Sequence, residues 1–389
     1  MKLLTVAGEL SGDAHGGLLL EEMRARLPGL AVRGIGGPRM AAAGMKADYT
    51  LADMQVHGLL EILRHLPRLY RILWHLERIM DADRPDAVLL IDYPGFNLKV
   101  AAAARKRGIP VYYYSSPQIW AWRGGRLKTI VANVDLMVVL FPFEQEIYRK
   151  AGQEVVFLGH PLAGGTPDPA AGQALRGELG LDADTPLLAL MPGSRPGELR
   201  RILPGILAAV HHARDALAGY QAVIPVAPSL DLEEVRAMVE QHRAQHGTGD
   251  IPVHLAPGGF GALLQTASLA VVASGTATLQ TALANIPFLV VYKVATLTYA
   301  LARRVAYQPW FSIVNILSGR QVVPEFIQEN LTPEKLGGAL AELARDPGKQ
   351  AAMRDELAGL AASLGEGGAY QRAGEMLAGR LTEDSQRNK

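Results

Sequence analysis

At 389 residues the chain exceeds the ~100–200 that one hydrophobic core usually organises, so two domains are expected. Apolar residues make up 49% and the formal net charge is +1, a balance that excludes a disordered chain and a nucleic-acid binder built on a basic excess. Cysteine is absent, which excludes disulfides, thiolate catalysis and Cys-ligated metals and suits a reducing compartment.

Short apolar runs alternate with amphipathic stretches from the start, the pattern of βα units in a parallel sheet. The first run, residues 3–7, passes directly into Gly8-Glu9 and is too short for a signal-peptide core. No stretch approaches the ~20 apolar residues that span a bilayer, so a soluble or peripheral protein is expected. Further strands are expected at 31–35, 87–91, 111–114, 136–140 and 155–158. Open parallel sheets bind ligands beyond the carboxyl ends of their strands, which directs attention to the loops there.

Gly8-Glu9-Leu10-Ser11-Gly12-Asp13 follows the first strand and opens a helix. Its amides could hold an anion or sugar hydroxyls, or it is an ordinary turn capped by Ser11 or Asp13. It lacks the G-x-G-x-x-G dinucleotide spacing. Gly34-Ile35-Gly36-Gly37-Pro38 reads as a plain turn, with Pro38 at a helix start. Residues 59–80 form an amphipathic helix: Leu59, Ile62, Leu63, Leu66, Leu69, Tyr70, Leu73, Leu76 and Met80 share one face, and Arg64, Arg68, Arg71, His75 and Arg78 the other. Pro67 either kinks it or starts a second helix. The basic face is either simply solvated or, with Trp74, meets an anionic membrane.

Asp92 ends an apolar strand, where a carboxylate could take the proton of an attacking hydroxyl; the capping role nearby is given to Asn97. After 111–114 comes Ser116-Pro117-Gln118-Ile119-Trp120-Ala121-Trp122-Arg123. Its tryptophans and arginine suit a binding platform, although Trp120 could equally pack in the core.

A Gly/Pro-rich stretch at 163–169 reads as a linker, and alternation then restarts with strands at 187–191, 221–225, 253–255, 269–273 and 288–292. In this half Pro192-Gly193-Ser194-Arg195-Pro196-Gly197-Glu198 offers close backbone approach and a forked donor for a pyrophosphate. Ser274-Gly275-Thr276 opens a helix whose amides would face phosphates. A second apolar, Arg-punctuated stretch at 292–317 is another membrane candidate. Beyond 331 the chain is helical, in three segments. The expected architecture is α/β: two Rossmann-like domains facing across a cleft, at 1–163 and 164–345, with helices of 346–389 returning to the first domain or to a partner subunit.

The ordered set of these motifs, with Gly37-Pro38-Arg39-Met40, Gly159-His160-Pro161 and Asn315-Ile316-Leu317-Ser318-Gly319-Arg320, closely resembles the lipid A disaccharide synthases, over nearly the whole chain. The Trp-Ala-Trp-Arg loop is the most specific part. The resemblance implies an inverting GT-B glycosyltransferase with no metal or cofactor. It would join UDP-2,3-diacylglucosamine to 2,3-diacylglucosamine 1-phosphate (lipid X) through a β-1,6 bond and release UDP. It implies Asp92 as base and Arg195 as an essential phosphate contact. Gly193, Ser194, Glu198, Ser274, Gly275, Thr276, Gln280, Asn315 and Arg320 would hold the donor. Ser11, Gly12, Asp13, Gln118, Trp120, Trp122 and Arg123 would hold the acceptor. It further implies a cytoplasmic enzyme peripheral on the inner membrane face, binding no nucleic acid, and a homodimer through C-terminal helices. Gln280 stands where the family usually has Glu, and Leu10, Val314 and Gln321 also depart from its pattern. A paralogue with another donor or acceptor, a UDP-sugar epimerase and a silent nucleotide-sugar or lipid binder are the alternatives.

Overall fold

In the computed structural model, residues 1–54, 59–117, 119, 125–165, 168–246, 251–295, 299 and 309–387 are described, the side chains of 59–65 excepted. Two units emerge, 1–164 with 364–389, and 165–363.

The first unit is a parallel sheet of seven strands: β1 (Lys2–Ala7), β2 (Ala31–Gly36), β3 (Lys46–Thr50), β4 (Ala87–Ile91), β5 (Val111–Tyr114), β6 (Leu136–Val139) and β7 (Val155–Phe157), in the order 3-2-1-4-5-6-7. β4, β5 and β6 are buried along their whole length, as a sheet covered on both faces requires. Leu4 and Val6 of β1 enter one core and Leu3 and Ala7 the opposite one, the two-residue period of a strand. The helices are α1 (Leu10–Arg26), α2 (Pro38–Ala42), α3 (Leu51–Met54), α4 (Leu59–Asp83), α5 (Pro94–Arg105), α6 (Gly125–Asn133) and α7 (Pro142–Lys150). α4 runs on through Pro67 as one helix.

The second unit repeats the plan with β8 (Leu187–Met191), β9 (Gln221–Val226), β10 (Val253–Pro257), β11 (Leu269–Ala273), β12 (Phe288–Tyr292) and β13 (Glu325–Ile327), all parallel in the order 10-9-8-11-12-13. Its helices are α8 (Pro169–Glu178), α9 (Pro196–His212), α10 (Leu232–His246), α11 (Phe260–Leu264), α12 (Thr276–Leu283), α13 (Ile313–Ser318), α14 (Pro333–Arg345) and α15 (Pro347–Ser363).

The return to the first unit begins at Leu364, later than the expected 346. α15 stays on the second unit because Leu357 and Leu360 are buried and Met353 packs against that unit's core. Only α16 (Ala369–Arg387) goes back. Its Leu377 and Leu381 enter the core beside α1, and Tyr112 donates to Asp384 at 2.7 Å. Gly374 permits the approach, since a Cβ there would sit 2.3 Å from the Glu22 Cβ. Edge strands β3 and β13 were not expected from sequence. Their residues are largely half-exposed and carry no apolar run.

Candidate active site

Each sheet reverses its winding once, between β1 and β4 in the first unit and between β8 and β11 in the second. Chain crossing in opposite directions at such a point splays the following loops and leaves a crevice.

In the second unit that crevice is a cavity of about 480 Å³, at the carboxyl ends of β8, β9, β10 and β11. Gly193, Ser194, Arg195 and Glu198 line it from the β8–α9 loop, and Ser274, Gly275, Thr276 and Gln280 from the β11–α12 segment. Gly193 sits at φ +107, and a Cβ there would lie 2.6 Å from the Glu198 carboxylate, so glycine is required twice over. Arg195 is the N-cap of α9, with its side chain 81% exposed, and its guanidinium donates to Glu198 Oε1 at 3.2 Å. Ser229 Oγ donates to the Ser194 carbonyl at 2.6 Å and fixes that loop. Ser274 Oγ donates to the Phe311 carbonyl at 3.0 Å, which aims the start of α12. Thr276 and Gln280 lie one turn apart on the same helix face. The Tyr292 hydroxyl nearby is pushed above its ordinary pKa by burial first and by Glu198 second, with Arg195 opposing.

The end of β9 and the residues after it, Pro225 to Pro228, and Phe260 after β10 also line the cavity. Sequence reading passed over both. The strand-end rule could have found them, as could Gly258-Gly259 just before Phe260, but neither segment carries a charge.

Asn315 and Arg320 stand apart from this cavity. Asn315 is fully buried: Nδ2 donates to the Val323 carbonyl and to Glu325, both at 2.8 Å, and Oδ1 accepts from the amides of Val322 and Val323. Its hydrogen-bonding capacity is spent on the approach to β13, which leaves no atom for a phosphate. Asn315→Ala is therefore expected to cost about 1–3 kcal/mol or more of stability, since it orphans buried amides. Denaturant unfolding checks this; a direct phosphate contact would instead appear as weakened UDP binding in a protein of undiminished stability. Arg320 pairs with Glu356 and lines a different cavity, beside the start of β12.

In the first unit the β1–α1 and β4–α5 loops touch. A Cβ on Gly8 would fall 2.4 Å from the Tyr93 ring. Asp92 and Tyr93 both adopt left-handed φ, +48 and +49, so the chain turns sharply out of β4 before Pro94 starts α5. The Asp92 carbonyl accepts from Tyr113 at 2.6 Å and from Asn97 at 2.7 Å. Asn97, expected to cap the helix, is instead a buried brace whose Nδ2 also reaches the Ile91 carbonyl at 3.2 Å; the N-cap position belongs to Tyr93. With its backbone pinned, the Asp92 carboxyl is held in a largely buried position. Burial raises its pKa above the ordinary 3.8 and the Glu9 charge adds to this, while the Tyr93 amide opposes.

Asp13 departs from its expected role. Its carboxylate accepts from the amides of Gly37 at 2.7 Å, Met40 at 3.0 Å and Arg39 at 3.1 Å, and so caps α2. With both oxygens engaged and only 2% of the residue exposed, its role is structural. Ser11 is exposed at the start of α1, and Gly12 is buried, with a Cβ there falling 3.2 Å from the Ala7 Cβ. Gln118, Trp120, Trp122 and Arg123 lie outside the described residues. His160 stacks on Phe141 at 5.2 Å, its pKa pulled down to about 4 by burial, and its amide donates to the Leu364 carbonyl at 2.9 Å.

Residues 3–374 match the family model described as lipid-A-disaccharide synthetase. A lipid-A-disaccharide synthase of Myxococcus xanthus (strain DK1622) is 40% identical over 374 residues, 96% of each chain. One of Anaeromyxobacter sp. (strain K) is 42% identical over 378 residues, 97% of each. Among solved structures, MurG of Acinetobacter baumannii aligns with a TM-score of 0.56 at 16% identity, over 98% of this chain and 99% of its own. A UDP-GlcNAc 2-epimerase of Neisseria meningitidis bound to UDP-GlcNAc aligns at 0.58 and 12% identity, over 98% and 100%. These two likenesses concern the fold.

Proposed function

The chain belongs to the lipid-A-disaccharide synthetase family, and from that membership we propose that it joins UDP-2,3-diacylglucosamine to 2,3-diacylglucosamine 1-phosphate through a β-1,6 bond, releasing UDP. The observation that carries the donor half is the convergence of Arg195, Ser274, Gly275, Thr276 and Gln280 on one cavity at a topological switch point. Phe260 and the Pro225–Pro228 wall suit a flat nucleobase, the α12 start and Arg195 suit the diphosphate, and Gln280 suits the ribose hydroxyls. Ser11 and Gly12, with the Trp-Ala-Trp-Arg loop, are read as the acceptor side.

In the reaction Asp92 takes the proton of the acceptor's 6-hydroxyl as that oxygen attacks the anomeric carbon. The bond from that carbon to the diphosphate oxygen breaks, with inversion, and the charge released on UDP is met by Arg195 and the α12 amides. No cofactor enters these steps. Glu198, already paired with Arg195, steers the guanidinium.

Among the described residues no helix is long and apolar enough to cross a membrane. We read the enzyme as peripheral on the cytoplasmic membrane face through α4, where Trp74 is 58% exposed and stacks with Arg78 at 5.0 Å. Arg68 contributes less to that surface than its position suggested, being paired with Asp53. A homodimer through the C-terminal helices belongs to the same reading. Incubation with both acylated substrates and detection of the disaccharide tests the reaction. UDP binding in a folded protein without disaccharide would favour a silent binder, and interconversion of the free UDP-sugar an epimerase.

A further inference from the structure

Next to the Asp92 loop the first unit has another cavity, about 350 Å³, between α4 and α5. Leu66, Leu69 and Leu73 line it from α4, and Tyr93 and Phe96 from the α5 side. Their spacing puts the three leucines on one stripe, while Ile72, Leu76 and Met80 turn into the core. Leu69 and Leu73 pack partly against that core as well, and the apolar surface they leave over faces the cavity with Leu66. Lys99 is the charged residue of the lining; its ammonium donates to the Tyr70 hydroxyl at 3.3 Å, and Tyr70 is 53% exposed at the rim.

We propose that this groove is an acyl subsite, holding one hydrocarbon chain of the acceptor whose hydroxyl reacts at Asp92. The inference rests on the acceptor chemistry proposed above. Three observations carry it. Tyr93, the residue after Asp92, is a wall of the groove, so a chain lying there hangs from a sugar at the base. That wall is fixed, because the Tyr93 hydroxyl donates to the Met54 carbonyl at 3.0 Å. Lys99 puts a cation at the rim of an otherwise apolar hollow, which suits a chain attached to an anionic head group. Docking on a bilayer surface needs exposed apolar side chains such as Trp74, and has no need of a recess.

Gly95 provides the test. It lies in the groove lining at the second residue of α5, and a Cβ there meets nothing within 4 Å. Gly95→Leu therefore adds a side chain at the groove lining with no clash at Cβ, in a helix that prefers leucine to glycine. Acceptors that differ only in acyl length, from butanoyl to tetradecanoyl, are compared for kcat/KM and, by calorimetry, for Kd. Each buried methylene is worth ~0.8 kcal/mol, about fourfold in affinity, so both readouts improve with length in the wild type until the groove is full. In Gly95→Leu the plateau is expected several methylenes earlier. An unshortened plateau in a folded variant would overturn the subsite, as would a variant whose only defect is weaker adhesion to vesicles of anionic phospholipid. If the wild type binds the series with the length dependence but transfers nothing, the groove stands and the transferase reading falls.

Discussion

Asp92→Asn is expected to abolish sugar transfer and to leave UDP binding intact. A positioned general base is worth ~10²–10⁴ in rate, and an amide of the same shape cannot accept the proton. Asparagine is the informative replacement because Asp92 occupies left-handed backbone, which Asn tolerates and most residues do not. The bonds from Asn97 and Tyr113 go to the backbone carbonyl and survive the change. Steady-state turnover beside calorimetric UDP binding checks the expectation, and retained turnover would remove Asp92 from the base role. Burial and Glu9 together raise this carboxyl above its ordinary pKa. Since the ionised form is the active one, kcat/KM should rise with pH along an acid limb that lies above the usual carboxylate range. The sign for stability is opposite: a raised carboxyl disfavours the fold while ionised, and the penalty shrinks as pH falls below the folded pKa and is gone below the unfolded one. Asp92→Asn should accordingly be as stable as the wild type at neutral pH, or more so.

Asp92 and Asp13 show what sequence can and cannot resolve. Both follow a strand of the first sheet closely, Asp92 directly after β4 and Asp13 in the first turn of α1. Nothing local says that Asp13 closes on the amides of Gly37, Arg39 and Met40, which are 24 to 27 residues away. Asn315 misleads in the same way, since its partners depend on a short edge strand, β13, that lacks an apolar signature. The doubled Rossmann-like plan was legible because parallel strands buried on both faces must be continuous apolar runs. The loops after β8 and β11 could be picked out because arginine and glycine at strand ends have few structural reasons to be there. Pro225 to Pro228 and Phe260 were not, because an apolar wall of a binding site reads like any other apolar turn.

Arg195→Ala should lower kcat/KM by ~10²–10³, the scale of one oriented donor lost from a developing anion, and should also weaken UDP binding. The fold should not register the change. Arg195 is largely exposed, and its ion pair with Glu198 belongs to a class of surface pairs worth ~0–1 kcal/mol, so unchanged unfolding makes the kinetic loss a statement about the site. Arg195→Lys separates charge from shape. An ammonium keeps the positive charge but loses the planar fork that can grip two phosphate oxygens, so recovery should be partial. Position matters as much as charge here. Gly193 lets the loop pass against Glu198, and Glu198 in turn holds the guanidinium at 3.2 Å over the cavity's edge. Glu198→Gln should therefore reproduce part of the Arg195→Ala loss, seen mainly in kcat because a poorly aimed arginine still attracts the diphosphate. Full UDP affinity and turnover in Arg195→Ala would mean that the α12 amides alone carry the leaving group.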